Sequence, residues 1–100
     1  MLIGIVKGKI LAGKHAQLRQ AADILQHQFA AHEPGCEQYE CFIDGDPFLT
    51  IERWTNQEAL DVHLKSDHVA TYVPRLRECV VDGSFDVQFI ETDRVTFTTI

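Results

Sequence analysis

The sequence is short of most of what a secreted, membrane-spanning or nucleic-acid-binding protein needs. It has three cysteines, Cys36, Cys41 and Cys79, an odd count that is poor material for a closed disulfide framework. Cys36 and Cys41 fall five positions apart on one expected strand, so they should point to opposite faces, where they neither bridge each other nor hold one ion together. All three read as buried, reduced thiols. Cationic side chains are scarce. Nine Lys+Arg stand against fifteen Asp+Glu, a net charge of −6, and binding to a phosphate backbone runs on Lys and Arg. DNA, RNA and acidic membrane surfaces drop out as expected partners. No apolar run approaches the ~20 residues that cross a bilayer, and the stretch Met1–Val6 is followed by Lys7, not preceded by it, with no small-residue cleavage site. The expectation is a cytoplasmic protein.

What the chain does have is apolar residues, 45% of its 100 positions. That describes one domain spanning residues 1–100, with no room for a second. A domain of this size buries only about 60–65% of the surface its unfolded chain exposes, so its stability margin is thin and association helps it.

The elements follow from periodicity. Leu2–Ile10 is a short, Ile- and Val-rich stretch, a first strand. After Gly13, Leu18, Ala22, Leu25 and Phe29 recur at helical steps until Glu33-Pro34-Gly35 ends the helix. Cys36–Ile43 and Phe48–Trp54 read as two strands joined by the turn Asp44-Gly45-Asp46-Pro47. Thr55 and Glu58 fit a capping box opening the next helix, and Ser66-Asp67 offers a second cap before Val69, Val73, Leu76 and Val80. Pro74 either kinks that helix or marks its start. Asp82-Gly83-Ser84 breaks it, Phe85–Glu91 forms a last strand, and the β-branched tail Val95–Ile100 is able to add another.

The order β-α-β-β-α-β is the ferredoxin-like α+β arrangement, helices on one face of an antiparallel sheet. Both alternation classes of the third strand carry bulk, Phe48 and Trp54 on one side, Leu49 and Ile51 on the other. A sheet apolar on both faces with helices for only one implies a second copy on the free face, a homodimer of two facing sheets.

Two segments resemble a known family. Glu33-Pro34-Gly35-Cys36-Glu37-Gln38-Tyr39-Glu40 resembles the "EPGC-x-x-Y-E" segment of the antibiotic biosynthesis monooxygenase (ABM) family of dimeric α+β barrels. Glu52-Arg53-Trp54, Glu58-Ala59-Leu60 and His63 to His68 resemble its second motif, "E-x-W-x-x-x-x-A-L-x-x-H-x-x-S-x-H". The resemblance covers Ile3 to about Phe89. It implies a ligand pocket between sheet and helices, used by several members to oxidise quinols or polycyclic phenols with dioxygen and no cofactor. Other members degrade haem, isomerise or bind small signal molecules, or have no known reaction.

Strand and helix spacing then select candidate site residues. Glu52 and Trp54, two apart on a strand, share a face, and the helix from Asn56 folds back with His63 about two turns in. An imidazole beside a carboxylate is suited to taking a phenolic proton, with His63 as base and Glu52 as its orienter. Trp54 and Tyr72, with Phe89 and Phe42 from the sheet, are the expected aromatic walls for a flat ligand. His68 stands at the start of the following helix. Lys7 lies on the strand face of Ile3 and Ile5, where haem-degrading relatives carry an asparagine. His15, His27 and His32 have no carboxylate partner at a telling distance and read as solvent-facing.

His63 and His68 lack a third ligand at an established spacing, so no metal site is expected. The position of the haem-ligating histidine of haem-degrading relatives falls near Val73, which cannot bind iron. No Gly-rich phosphate loop, nucleophilic Ser with its base, or flavin or nicotinamide fingerprint is present, and Gly4-x-x-x-Gly8 lies inside a strand. The resulting expectation is a cofactor-independent monooxygenase acting on an aromatic or quinol-type small molecule and dioxygen. The alternatives on the same fold are a small-molecule binding or stress-response module and an isomerase of a small carbonyl compound.

Overall fold

In the computed structural model, which describes residues Met1–Ile100, the two central strands carry the alternation that decides the layers. β1 (Leu2–Lys9) and β3 (Pro47–Trp54) pair antiparallel, with Leu2 opposite Trp54, Gly4 opposite Glu52, Val6 opposite Thr50 and Gly8 opposite Phe48. Directly opposed residues share a face, and Phe48, Thr50, Glu52 and Trp54 are all buried. The intervening Ile3, Ile5, Leu49 and Ile51 lie on the other face and are only half-buried.

β2 (Cys36–Ile43) flanks β3, and β4 (Asp86–Glu91) flanks β1, giving the order β2-β3-β1-β4 with every pair antiparallel. Three helices, α1 (His15–Ile24), α2 (Gln57–Leu64) and α3 (Asp67–Arg77), place Leu18, Leu60 and Leu76 in one core with Leu2, Phe48 and Trp54. This is the ferredoxin-like α+β fold that the chain order implied. No helix is long and apolar enough to cross a membrane.

The departures from expectation shape the site. Helix α1 does not run uniformly to its proline stop. After Ile24 it widens to a π-helical turn over Leu25–Phe29 and then tightens to a 3-10 turn over Ala30–His32. The wider turn changes the angular position of the residues after it, and it delivers Phe29 against α3. Gly35 then takes φ +80°, and a Cβ there would stand 2.5 Å from the Ala59 methyl, so the turn into β2 passes directly beneath α2. A left-handed φ and that close approach both require glycine.

Thr55 is not the α2 cap. Its hydroxyl donates to the Gly35 carbonyl at 2.9 Å, tying α2 to the same turn, and Asn56 Oδ1 accepts the Ala59 N–H at 2.9 Å instead. Ser66 caps α3, its Oγ accepting from the Val69 N–H at 3.3 Å. Pro74 lies inside α3 and does not start it.

A bulge between Cys36 and Gln38 sets Cys36 opposite Trp54 and Cys41 opposite Thr50. Both thiols therefore share the helix-side face, contrary to five-residue counting, because the extra residue resets the alternation. All three cysteines are free. The tail Val95–Ile100 forms no strand, and Phe97 instead lies 5.0 Å beneath the Arg53 guanidinium.

Candidate active site

Four segments bring four ionisable side chains together on the helix side of the sheet. Leu60 and His63, three apart on α2, both turn inward. Glu52 and Trp54 rise from β3, and Glu33 enters from the extended residue that ends the 3-10 turn, with φ −68° and ψ 141°. His63 Nδ1 lies 2.5 Å from Glu33 Oε2. With the carboxylate ionised, Nδ1–H donates to it, and the lone pair is left on Nε2. That edge faces Glu52, whose Oε1 is 4.0 Å from Nε2, while Trp54 Nε1–H donates to the same oxygen at 3.0 Å. The indole and imidazole centroids are 4.5 Å apart and the Tyr39 ring lies 5.6 Å from His63 on another side.

His68, at the start of α3, completes the group. Its Nε2 is 3.2 Å from Glu33 Oε1, and its ring stacks on Phe29 at 4.9 Å and 12°. One carboxylate thus faces two imidazoles. Donor atoms of Glu33, His63 and His68 all fall within 4.8 Å of one another, so the fold supplies the third ligand type that sequence spacing lacked. An ion at about 2.0–2.2 Å from each donor would have to displace the Glu33–His63 hydrogen bond. His63 Nδ1 is hydrogen-bonded to Glu33, whereas His68 Nε2 is buried without a hydrogen-bond partner.

Burial pushes the Glu52 carboxyl above the usual carboxylate range; the Trp54 hydrogen bond and nearby His63 pull it down, and Glu33 pushes it up. Burial, reinforced by the charge of Glu52, also drives the Tyr39 phenol well above its ordinary range, so Tyr39 stays neutral. His63 and Glu52 line one end of a cavity of about 600 Å³ between the sheet and α3. Ten of its sixteen lining residues are hydrophobic, Val69, Val73, Phe85, Val87 and Phe89 among them. Glu33 and His68 do not line it, whereas Glu52, the carboxylate beside the Nε2 edge of His63, does.

The antibiotic biosynthesis monooxygenase family matches residues 1–75. The chain belongs to that family. Among solved structures, an antibiotic biosynthesis monooxygenase from Deinococcus radiodurans, so named provisionally, is 24% identical with a TM-score of 0.85 and covers 99% of both chains. A protein of unknown function from Bacteroides thetaiotaomicron, described as a possible oxidoreductase, is 26% identical with a TM-score of 0.82, covering 91% of this chain and 96% of its own. A conserved protein from Methanosarcina mazei is 23% identical at a TM-score of 0.83, covering 93% and 94%. No curated protein matches the sequence. ABM membership makes monooxygenase-type chemistry the general frame for the site.

Within this ABM domain the expected residues separate. His63, Glu52, Trp54 and His68 form one contiguous group, and Phe89 lines the cavity. Tyr72 does not line the cavity; its ring packs 5.9 Å from Phe29 and 5.0 Å from the Arg75 guanidinium. Lys7 and Phe42 both stand opposite Leu49, on the sheet face away from the helices, so neither walls the pocket. Glu52 is not the residue bonded to His63 Nδ1; Glu33 is. His15 does have a carboxylate neighbour, Asp46 Oδ1 at 3.1 Å, which links the start of α1 to the β2–β3 turn.

Glu33 and Tyr39 escape a reading from spacing, although both belong to the first family motif. Glu33 reads as the last residue before a helix-breaking proline, and only the π turn and Gly35 swing it under α2.

Proposed function

We propose that the protein is a cofactor-independent monooxygenase that oxidises an aromatic or quinol-type small molecule with dioxygen. The observation that carries this reading is the Glu33–His63 pair, bonded through Nδ1, with His63 and the Glu52 beside its Nε2 both lining a largely hydrocarbon cavity. A base in that position removes a phenolic proton, and the electron-rich ring then reduces dioxygen itself. The balance is substrate-H2 plus O2 giving the oxygenated substrate and water, one oxygen atom retained and the other leaving as water. His63 takes the proton at Nε2 and returns it to the departing oxygen. Glu33 holds Nδ1–H and stabilises the imidazolium formed midway, as a buried carboxylate does for a catalytic histidine. Glu52, with its raised carboxyl held by Trp54, borders the place where the substrate hydroxyl sits.

The hydrocarbon-rich lining favours a flat aromatic ligand over a sugar-like one. We further infer a homodimer through the free sheet face, where Phe42 and Ile90 are exposed beside Ile3, Ile5, Leu49 and Ile51. A cytoplasmic location fits three free thiols. The test is oxygen uptake with a panel of quinols. Consumption above the autoxidation rate supports the reading, and its absence across the panel removes it.

A further inference from the structure

The cavity has two chemically different ends. At one, Glu52, His63 and Tyr39 meet. At the other, Arg77, Gly83 and Ser84 lie beside Phe48 and Phe85. From Glu52 to Phe48 is four strand residues, about 13 Å at ~3.3 Å each, and Val69 to Arg77 is eight helical residues, about 12 Å. The cavity is therefore elongated along β3 and α3, with acidic groups at the inner end and a cation at the mouth.

Arg77 is the one guanidinium or ammonium group lining this space. It is also unengaged. It takes part in none of the four ion pairs and neither cation–ring contact of the chain, whereas its neighbour Arg75 lies over Tyr72 at 5.0 Å. All four ion pairs are made by histidines, so none of the nine Lys and Arg residues is paired; what sets Arg77 apart is that it alone of the nine lines this largely apolar cavity. The Ser84 hydroxyl makes no hydrogen bond within the chain and lines the same end.

We infer that the substrate is a fused-ring aromatic carrying a carboxylate at the end remote from its reacting hydroxyl, and that Arg77 is the residue that selects it. A guanidinium recognises a carboxylate through parallel N–H donors, with the Ser84 hydroxyl placed to donate as well. The two ends together fix orientation. Glu33 and Glu52 repel an anion from the His63 end, and Arg77 draws it to the mouth, so the hydroxyl is left facing Nε2. This rests on the monooxygenase reading only for which end reacts.

The test is calorimetric titration with two probes of one ring system, a hydroxynaphthoate with hydroxyl and carboxylate at opposite ends and the same hydroxynaphthalene without the carboxylate. Arg77 is exposed, so its variants should fold. In the parent the carboxylate should improve affinity by about tenfold or more, the advantage shrinking as salt is raised. In Arg77→Gln it should vanish while affinity for the uncharged ring is unchanged, and Arg77→Lys should keep part of it. Equal affinities in the parent, no binding of either probe, or a carboxylate advantage that survives in Arg77→Gln would overturn the inference. Oxygen uptake is read separately. A carboxylate preference without uptake leaves Arg77's role standing and removes the oxygenase reading, and uptake without the preference does the reverse.

Discussion

Glu33 Oε2 is 2.5 Å from His63 Nδ1, while Glu52 Oε1 stands 4.0 Å from Nε2 on the opposite edge of the same ring. The two carboxylates therefore have different work. In the proposed reaction Glu33 sets the tautomer and supports a positive imidazole, and Glu52 borders the substrate hydroxyl. Glu33→Gln should lower oxygen-uptake turnover by about tenfold to a hundredfold, less than the ~10²–10⁴ that general acid–base catalysis typically contributes, with KM little changed. If the turnover of Glu33→Gln matches the parent, Glu33 has no part in the base.

Glu52 carries a pH signature. Burial raises its carboxyl in the folded protein, so between its ordinary unfolded value and that raised value the native state holds more protons than the unfolded state. Stability from this group is then greatest at low pH and falls as pH rises through the window. Glu52→Gln removes the charge and keeps an oxygen for the Trp54 N–H. Urea unfolding should show the variant more stable than the parent at about pH 8, with the gain vanishing toward about pH 4. A parent–variant difference independent of pH would contradict the assignment.

Gly35→Ala combines an unfavourable left-handed φ with a 2.5 Å approach to the Ala59 methyl. It should cost about 1–3 kcal/mol in urea unfolding, and because Glu33 lies two residues upstream, turnover should fall with stability. Gly45, also at positive φ in the β2–β3 turn but with open space where a Cβ would stand, is the control: Gly45→Ala should lose only the backbone component and leave turnover unchanged.

The free sheet face predicts association. Light scattering at micromolar concentration should give twice the 11.4 kDa chain mass. Ile51→Glu, which puts a charge at the centre of that face opposite Ile5 and Glu40, should shift the mass toward the single chain. A parent that runs as a monomer would remove the dimer.

The layers are readable in the sequence because alternation in β1 and β3 separates Phe48 and Trp54 from Leu49 and Ile51, and each further strand pairing preserves that division. His63 and Glu52 are readable for the same reason, each being an inward position of a regular element. Irregularities are what periodicity hides. The π turn at Leu25–Phe29, the bulge after Cys36 and the left-handed Gly35 each shift a residue's direction by less than one element, and a periodic pattern averages over such shifts. Glu33 and the shared face of Cys36 and Cys41 depend on those irregularities. Lys7 and Phe42 are assignable from alternation, since both fall on the class opposite Glu52, and placing them in the pocket puts residue type ahead of register.

The central claim is that His63 is the base facing the cavity, and oxygen uptake with the parent's best quinol, compared with folded His63→Ala, tests it most directly. The account predicts uptake above autoxidation in the parent and a loss of about 10²-fold or more in the variant. Uptake by a folded His63→Ala at the parent's rate would contradict it.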